Sequence, residues 1–176
     1  MNQNLKVNSA SEKEWFIGIL KEHRRILYKV VYAYCQSPED RKDLEQEIII
    51  QLWKSLKHYN KDFKPSTWIY KIALNVAISH YRKDFKRKKT NIPYDGTIFQ
   101  IAEEANFSEE YISKTEQLYK FINRLNEFNK AIIILYLEDK SYKEIADIIG
   151  LTETNVGTKI NRIKKKLKES ISIANN

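Results

Sequence analysis

Polar and cationic side chains recur near the carboxyl end of the chain at the spacing of one helix face. They are Asn155, Thr158, Lys159 and Arg162. Amide and hydroxyl groups hydrogen-bond to base edges, guanidinium groups do so with two donors, and ammonium groups neutralise phosphates. The residue types on this face therefore predict contact with a nucleic acid.

Two short helices joined by a tight turn, over residues 141–167, must position this face. Gly150 is expected to end the first helix, because glycine adopts a positive φ without a Cβ penalty, and Leu151 can then fold back onto that helix. Thr152 is expected to cap the second helix. The predicted buried stripes are Tyr142, Ile145, Ala146 and Ile149 in the first helix, and Val156, Ile160, Ile163 and Leu167 in the second. The pattern is that of a helix-turn-helix.

The composition predicts an all-α protein. The chain has 176 residues, of which 42% are hydrophobic, with only four glycines and three prolines. It lacks an apolar run of about 18 residues, and its first residues are polar, so we expect neither a membrane span nor a secretory signal, and a cytoplasmic protein. The single cysteine, Cys35, fits a small core residue better than a metal ligand or redox group.

The charge distribution divides the chain into parts. The net charge is +8. Basic residues concentrate in 81–90 and 159–168, whereas acidic residues dominate 91–118. Taken alone, either basic run is better explained as a solvated helix face than as a nucleic-acid contact. We predict two small helical domains over 11–89 and 113–172, joined by a flexible acidic linker over 90–112, with a disordered start over 1–10 and a tail over 173–176.

The first domain is expected to hold several amphipathic helices. One helix spans about 38–58, with Leu44, Ile48 and Leu52 inward. Ile50 and Trp53 lie beside acidic residues on another face. They fit a partner surface, or equally the core packing of a helix with wide apolar coverage.

A second helix of this domain is expected over about 67–88, because Pro65 interrupts the chain and Ser66 can cap a new helix. Its predicted packing stripe is Ile69, Ile72, Ala73, Val76 and Ala77. Aromatic and basic residues alternate on its other faces and in the preceding loop. This mixture suits single-stranded nucleic acid, whose bases stack on aromatic rings, although for about half of the aromatic residues a core position is the better interpretation.

Three stretches together resemble the extracytoplasmic-function (ECF) sigma factors, the smallest promoter-recognition subunits of bacterial RNA polymerase. DLEQEIIIQLW at 43–53 is similar to their core-binding helix, and STWIYKIALNVAISHYRK at 66–83 to their promoter-melting helix. LNEFNKAIIILYLEDKSYKEIADIIGLTETNVGTKINRIKKKL at 125–167 resembles their DNA-binding module. The resemblance spans most of the chain.

The resemblance implies a role for each group of residues. Polymerase core binding would use Asp43, Gln46, Glu47, Ile50 and Trp53. Recognition and melting of the downstream promoter element would use Lys61, Phe63, Lys64, Trp68, Tyr70, Lys71, Asn75 and Arg82. The upstream element, as duplex, would be contacted by Thr154, Asn155, Thr158, Lys159 and Arg162. Two positions depart from the family: Gly157 and Leu74 stand where relatives often carry basic residues.

The implied partners are the polymerase core and promoter DNA, both duplex and melted, with an anti-sigma protein as a further candidate. No cofactor, metal or membrane insertion is implied. The competing interpretation is a stand-alone helix-turn-helix regulator, which predicts tight duplex binding without polymerase. An enzyme acting on nucleic acid is disfavoured, because His23, His58 and His80 are scattered and no Cys/His cluster accompanies them.

Overall fold

The computed structural model describes residues 3–60, 62, 64–87 and 118–174, with side chains over 11–60, 62, 64–83 and 118–170. Its elements are α1 (Gln3–Glu22), α2 (Arg24–Tyr34), α3 (Pro38–Ser55) with a 3-10 turn at Leu56–His58, α4 (Pro65–Arg87), α5 (118–123), α6 (Glu127–Leu137), α7 (Tyr142–Ile149) and α8 (Glu153–Ala174). Every regular element in these ranges is helical, which confirms the all-α prediction. The predicted linker over 90–112 lies outside the described residues.

Module one consists of α1 to α4. Its centre is formed by Leu44, Ile48 and Leu52 of α3, all fully buried, against Ile69 and Ala73 of α4. Helix α3 begins where the sequence indicates: Ser37 accepts a hydrogen bond from the Asp40 N–H at 3.0 Å, and Pro38 occupies the first turn. Burial of these apolar side chains supplies most of the stabilisation, because helices of this length are marginal alone in water.

A buried arginine fixes the connection between α2 and α3. Arg41 donates to the carbonyl oxygen of Cys35 at 3.1 Å and to that of Gln36 at 2.8 Å. Its guanidinium also lies 3.9 Å from the centre of the Tyr32 ring. The side chain thus satisfies carbonyls that the end of α2 leaves without helical partners.

Two boundaries differ from the sequence prediction. Helix α1 begins at Gln3, although disorder was expected over 1–10. Residues 3–10 contain neither glycine nor proline, so nothing stops the amphipathic helix from extending backwards into them. Helix α4 begins at Pro65 rather than after it, because proline lacks only an N–H that the first helical turn leaves unpaired.

Module two consists of α5 to α8, arranged around α6. Asn126 caps α6 by accepting a hydrogen bond from the Asn129 N–H at 2.9 Å. Residues 130–135 of this helix are all buried. A helix that is buried on every side must be covered by more than one layer. Helices α7 and α8 cover one side of α6, and α2 and α4 of module one cover another.

Candidate nucleic-acid and polymerase interfaces

The turn of the helix-turn-helix is built by side-chain and glycine caps. Ser141 and Glu144 form a capping box: the Ser141 hydroxyl accepts from the Glu144 N–H at 3.2 Å, and the Glu144 carboxylate accepts from the Ser141 N–H at 2.9 Å. The hydrogen bond from the Ser141 backbone, then that from its hydroxyl, lowers the pKa of Glu144. Gly150 ends α7 with φ of 78°, and the Leu151 N–H bonds back to the Ala146 carbonyl at 3.1 Å. The end of α7 at Gly150 and the return of Leu151 confirm the sequence prediction, whereas the Ser141–Glu144 capping box was not predicted.

The outer face of α8 is open to solvent. Val156, Ile160 and Ile163 are buried against module two, and Thr152 accepts a hydrogen bond from the Asn155 N–H at 3.3 Å. The structure therefore places the predicted upstream residues together on the free side of one helix. Thr154, Asn155, Thr158 and Arg162 are exposed, and Lys159 is half-buried.

Gly157 faces the Tyr142 ring of α7. A Cβ built on it would lie 3.4 Å from the nearest atom of that ring, which is an ordinary van der Waals contact. Further along α8, Lys164 donates to the Tyr136 hydroxyl at 2.6 Å, which raises the pKa of Lys164.

The outer face of α3 carries exposed apolar side chains beside acids. Ile50 is 51% exposed and Trp53 is 45% exposed, and the Trp53 ring contacts Phe16 of α1 at 5.1 Å between ring centres. The exposure favours the partner-surface interpretation of these two residues over core packing. Asp43 and Gln46 are also exposed, whereas Glu47 is half-buried.

A row of aromatic rings crosses the start of α4. The ring centre of Tyr59 lies 4.8 Å from that of Trp68 and 5.4 Å from that of Trp15 in α1. Trp15 is 37% exposed. Sequence reasoning grouped Trp68 with DNA contacts but assigned no such role to Trp15, because the two are 53 residues apart and only the fold brings them together. No local sequence signal could have found this pairing.

Lys64, Lys71 and Asn75, predicted for the downstream element, are exposed along the same side of module one. Lys61 and Phe63 lie outside the described residues.

The sequence prediction for Tyr70 is wrong. Tyr70 was expected on an outward face of α4, but the residue is only 1% exposed. Its neighbours include Glu138 and Tyr119 of module two, and burial, followed by the nearby Glu138 carboxylate, raises its pKa. Tyr70 begins a second buried apolar stripe on α4, continued by Leu74 and Ile78. Helix α4 contacts α2 and α3 of module one and α6 and α7 of module two. In this conformation Tyr70 cannot touch DNA.

Arg82 is also engaged by module two. Its Nε lies 3.1 Å from an Oε of Glu127, and its guanidinium lies 5.1 Å from the centre of the Phe128 ring. The side chain remains more than half exposed.

The part of the chain that the structure describes contains neither a metal-binding cluster nor a membrane-spanning helix. The described ranges contain no group of three or more His, Cys, Asp or Glu side chains that could hold a metal ion. Each helix in those same ranges is too short or too polar to span a bilayer.

Comparison with known proteins identifies both modules. Residues 19–87 match sigma-70 region 2, and residues 115–167 match sigma-70 region 4. Among characterised relatives, RNA polymerase sigma factor SigV of Bacillus subtilis is 28% identical over 157 residues, covering 89% of this chain and 90% of SigV. ECF RNA polymerase sigma factor SigW of the same organism is 22% identical, and the match covers 97% of this chain and 96% of SigW.

A solved structure shares the fold. The sigma factor RpoE of Bartonella quintana, in complex with the anti-sigma factor NepR, superposes with a TM-score of 0.67 at 17% sequence identity, covering 92% of this chain and 96% of RpoE. Module one thus corresponds to sigma-70 region 2, and module two corresponds to sigma-70 region 4. The chain belongs to the ECF class of the sigma-70 family.

Proposed function

We propose that this protein is an ECF sigma factor that directs core RNA polymerase to specific promoters and helps to open their DNA. The observation that carries the proposal is the presence, in one chain, of a region 2 module with exposed apolar, aromatic and cationic surfaces and a region 4 module with an open recognition helix. Catalysis belongs to the polymerase, so the chain is an initiation factor and not an enzyme, and it acts in the cytoplasm.

Module two reads the upstream element as duplex. The outer face of α8 presents Asn155 and Thr158 near the start of the helix and Arg162 one turn further on, which is the arrangement of a recognition helix in the major groove. Exposed Lys165, Lys166 and Lys168 follow on the same helix and supply phosphate contacts. Thr154 and Lys159 complete the proposed contact set.

Module one captures the downstream element after melting. Asn75 offers both a donor and an acceptor to the edge of an unstacked base. The ring row of Trp68, Tyr59 and Trp15 provides faces on which neighbouring bases stack, each stack being worth about 1–3 kcal/mol. Lys64 and Lys71 pair with phosphates of the DNA backbone, and Lys61 and Phe63, which precede them in the sequence, belong to the same proposed contact set. This capture offsets the stacking lost when the duplex opens.

The exposed face of α3 binds the polymerase core. Ile50 and Trp53 supply apolar contact area, while Asp43, Gln46 and Glu47 supply polar contacts at its rim. An anti-sigma protein is a further proposed partner, since the structurally similar RpoE was solved with one.

Core-dependent transcription from a promoter library tests the proposal. The protein with core polymerase is expected to initiate at defined start sites, and the core alone is not. The competing regulator hypothesis is tested by gel shift with and without core. Tight, specific duplex binding by the free protein, with no stimulation of initiation, would favour the regulator and reject the sigma factor.

Arg162→Ala is expected to weaken upstream-element binding by the holoenzyme about tenfold, because a bidentate base contact contributes about 1–3 kcal/mol of discrimination. Competition gel shifts with upstream-element duplex measure the change. Arg124→Ala removes the same charge from an exposed turn of module two and is the matched control. Equal behaviour of the two variants would remove Arg162 from the site.

Asn75→Ala is expected to leave closed promoter binding unchanged and to reduce open complexes about tenfold, since it removes hydrogen bonds to an unstacked base. Permanganate reactivity of unpaired thymines measures opening. Ser79→Ala, one helical turn further along the exposed side of α4, is the control. Normal opening by the Asn75 variant contradicts the assignment.

A further inference from the structure

Thr158 lies in the middle of the exposed stripe of α8 that the proposed function assigns to the major groove. Asn155 precedes it by three residues and Arg162 follows it by four, so the three side chains are neighbours on one helix face. All three are exposed. Thr158 is therefore expected to meet base edges between those that Asn155 and Arg162 contact.

The Thr158 hydroxyl is already used within the helix. It donates a hydrogen bond to the Thr154 carbonyl oxygen, one turn earlier, at 3.0 Å. A threonine hydroxyl has only one hydrogen to donate, so none is left for the acceptors of guanine, adenine or thymine. Because the backbone satisfies this donor, the loss of water on DNA binding leaves no unpaired hydroxyl hydrogen that needs a base acceptor.

The same hydrogen bond determines which group of Thr158 is available to a base. The Cβ of threonine carries two groups, the hydroxyl and the Cγ2 methyl, and threonine in a helix divides between two χ1 rotamers. The bond to Thr154 holds the hydroxyl against the helix backbone and thereby fixes χ1. The methyl group is left for contact with DNA, and its position is set before DNA arrives, which lowers the entropy cost of binding.

A methyl group on a recognition helix matches one feature of the major groove. Thymine presents a C5-methyl group there, and apolar contact with that group is the usual way in which a threonine methyl reads sequence. We propose that Thr158 reads the 5-methyl group of a thymine in the upstream element through its own methyl group, while its hydroxyl stays bonded to Thr154. The inference rests on the proposed function, because it takes the contact of α8 with duplex DNA from there. It adds the identity of one base and the chemical group that selects it.

Replacement of thymine by uracil tests the methyl contact from the side of the DNA. Uracil lacks only the 5-methyl group and keeps the pairing of thymine. The holoenzyme of full-length protein and core polymerase first selects duplexes from promoters that are randomised in the upstream segment. Each thymine of a selected duplex, on both strands, is then replaced singly by uracil. Competition gel shifts should reveal one thymine at which uracil weakens holoenzyme binding about fourfold, as expected for one buried methyl group.

Two variants separate the methyl group of Thr158 from its hydroxyl. Thr158→Ser keeps the hydroxyl and removes the methyl group. It should bind the thymine duplex about fourfold more weakly than the parent protein does, and it should not distinguish thymine from uracil at the responsive position. Thr158→Val removes the hydroxyl and keeps the methyl group, so the preference for thymine should persist. Together, protein variant and base replacement form a double-mutant cycle that measures their coupling directly.

Thr152→Ser is the matched control. It makes the same chemical change at an exposed threonine just before α8, and a serine hydroxyl can still accept from the Asn155 N–H as Thr152 does. This variant should keep the fourfold preference of the parent protein for thymine. Circular dichroism verifies that all variants have the helix content of the parent.

Absence of any thymine that responds to uracil, or retained discrimination by Thr158→Ser, overturns the proposal. Normal binding by Thr158→Ser with weaker binding by Thr158→Val also overturns it, because the contact would then belong to the hydroxyl oxygen as acceptor from an adenine or cytosine amino group. Core-dependent initiation from the selected promoters is measured in parallel. Its absence rejects the proposed function and this inference with it, whereas initiation without discrimination of the methyl group rejects only the reading by Thr158.

Discussion

Because Lys130 is buried, its titration is expected to make the free energy of unfolding rise with pH. Burial lowers its pKa to about 8, while the charges of Cys35 and Glu127 act in the opposite direction. The native state therefore binds fewer protons than the unfolded state between about pH 8 and 10.5. The buried ammonium destabilises the native state fully below the native pKa of Lys130. This destabilisation is relieved as the pH rises towards the pKa of Lys130 in the unfolded state.

We expect the free energy of unfolding in urea to rise by about 2 kcal/mol between about pH 7.5 and 9.5, because the pKa of Lys130 is about 8 in the native state against 10.5 ordinarily. Lys130→Met removes the titrating group with little change of volume and should abolish the rise. Above about pH 10 stability should fall for both proteins, because buried Tyr34 and Tyr70 have raised pKa values and ionise more readily when unfolded. An identical rise in the methionine variant would assign the pH dependence to other groups.

At the scale of elements, Gly157 tests the balance between helix propensity and close packing in α8. Gly157→Ala should raise the free energy of unfolding by about 0.5–1 kcal/mol, because alanine is favoured over glycine inside helices and its Cβ would meet the Tyr142 ring at contact distance. Since that Cβ points at α7, DNA binding should be unchanged. Urea denaturation and upstream-element gel shifts measure the two effects.

Gly18→Ala in α1 provides the reference, because a Cβ there would meet no described atom within 4 Å. It reports propensity alone, and the difference between the variants gives the packing cost at Tyr142. A loss of stability confined to Gly157→Ala would mean that the ring cannot yield, and that the glycine is required by packing.

The elements differ in how well the sequence predicts them. Helices α7 and α8 follow from local signals, since Ser141, Gly150 and the stripe of Val156, Ile160 and Ile163 act within a few residues of each other. Helix α4 does not. Its stripe with Ile69 and Ala73 was predicted, but Tyr70, which was expected to face outward, is buried. Its neighbours Tyr119 and Glu138 come from a distant part of the chain and leave no local signal.

At the scale of the whole molecule, contacts between residues far apart in the sequence again limit what the sequence can predict. Lys130 stands in FNKAIIILYL, where an apolar sequence without clear periodicity indicates a helix covered on several sides. That pattern could have predicted a second layer over α6. It contains no information on which surface supplies it, because the contacts with Ala33 and Tyr81 span 97 and 49 residues of chain.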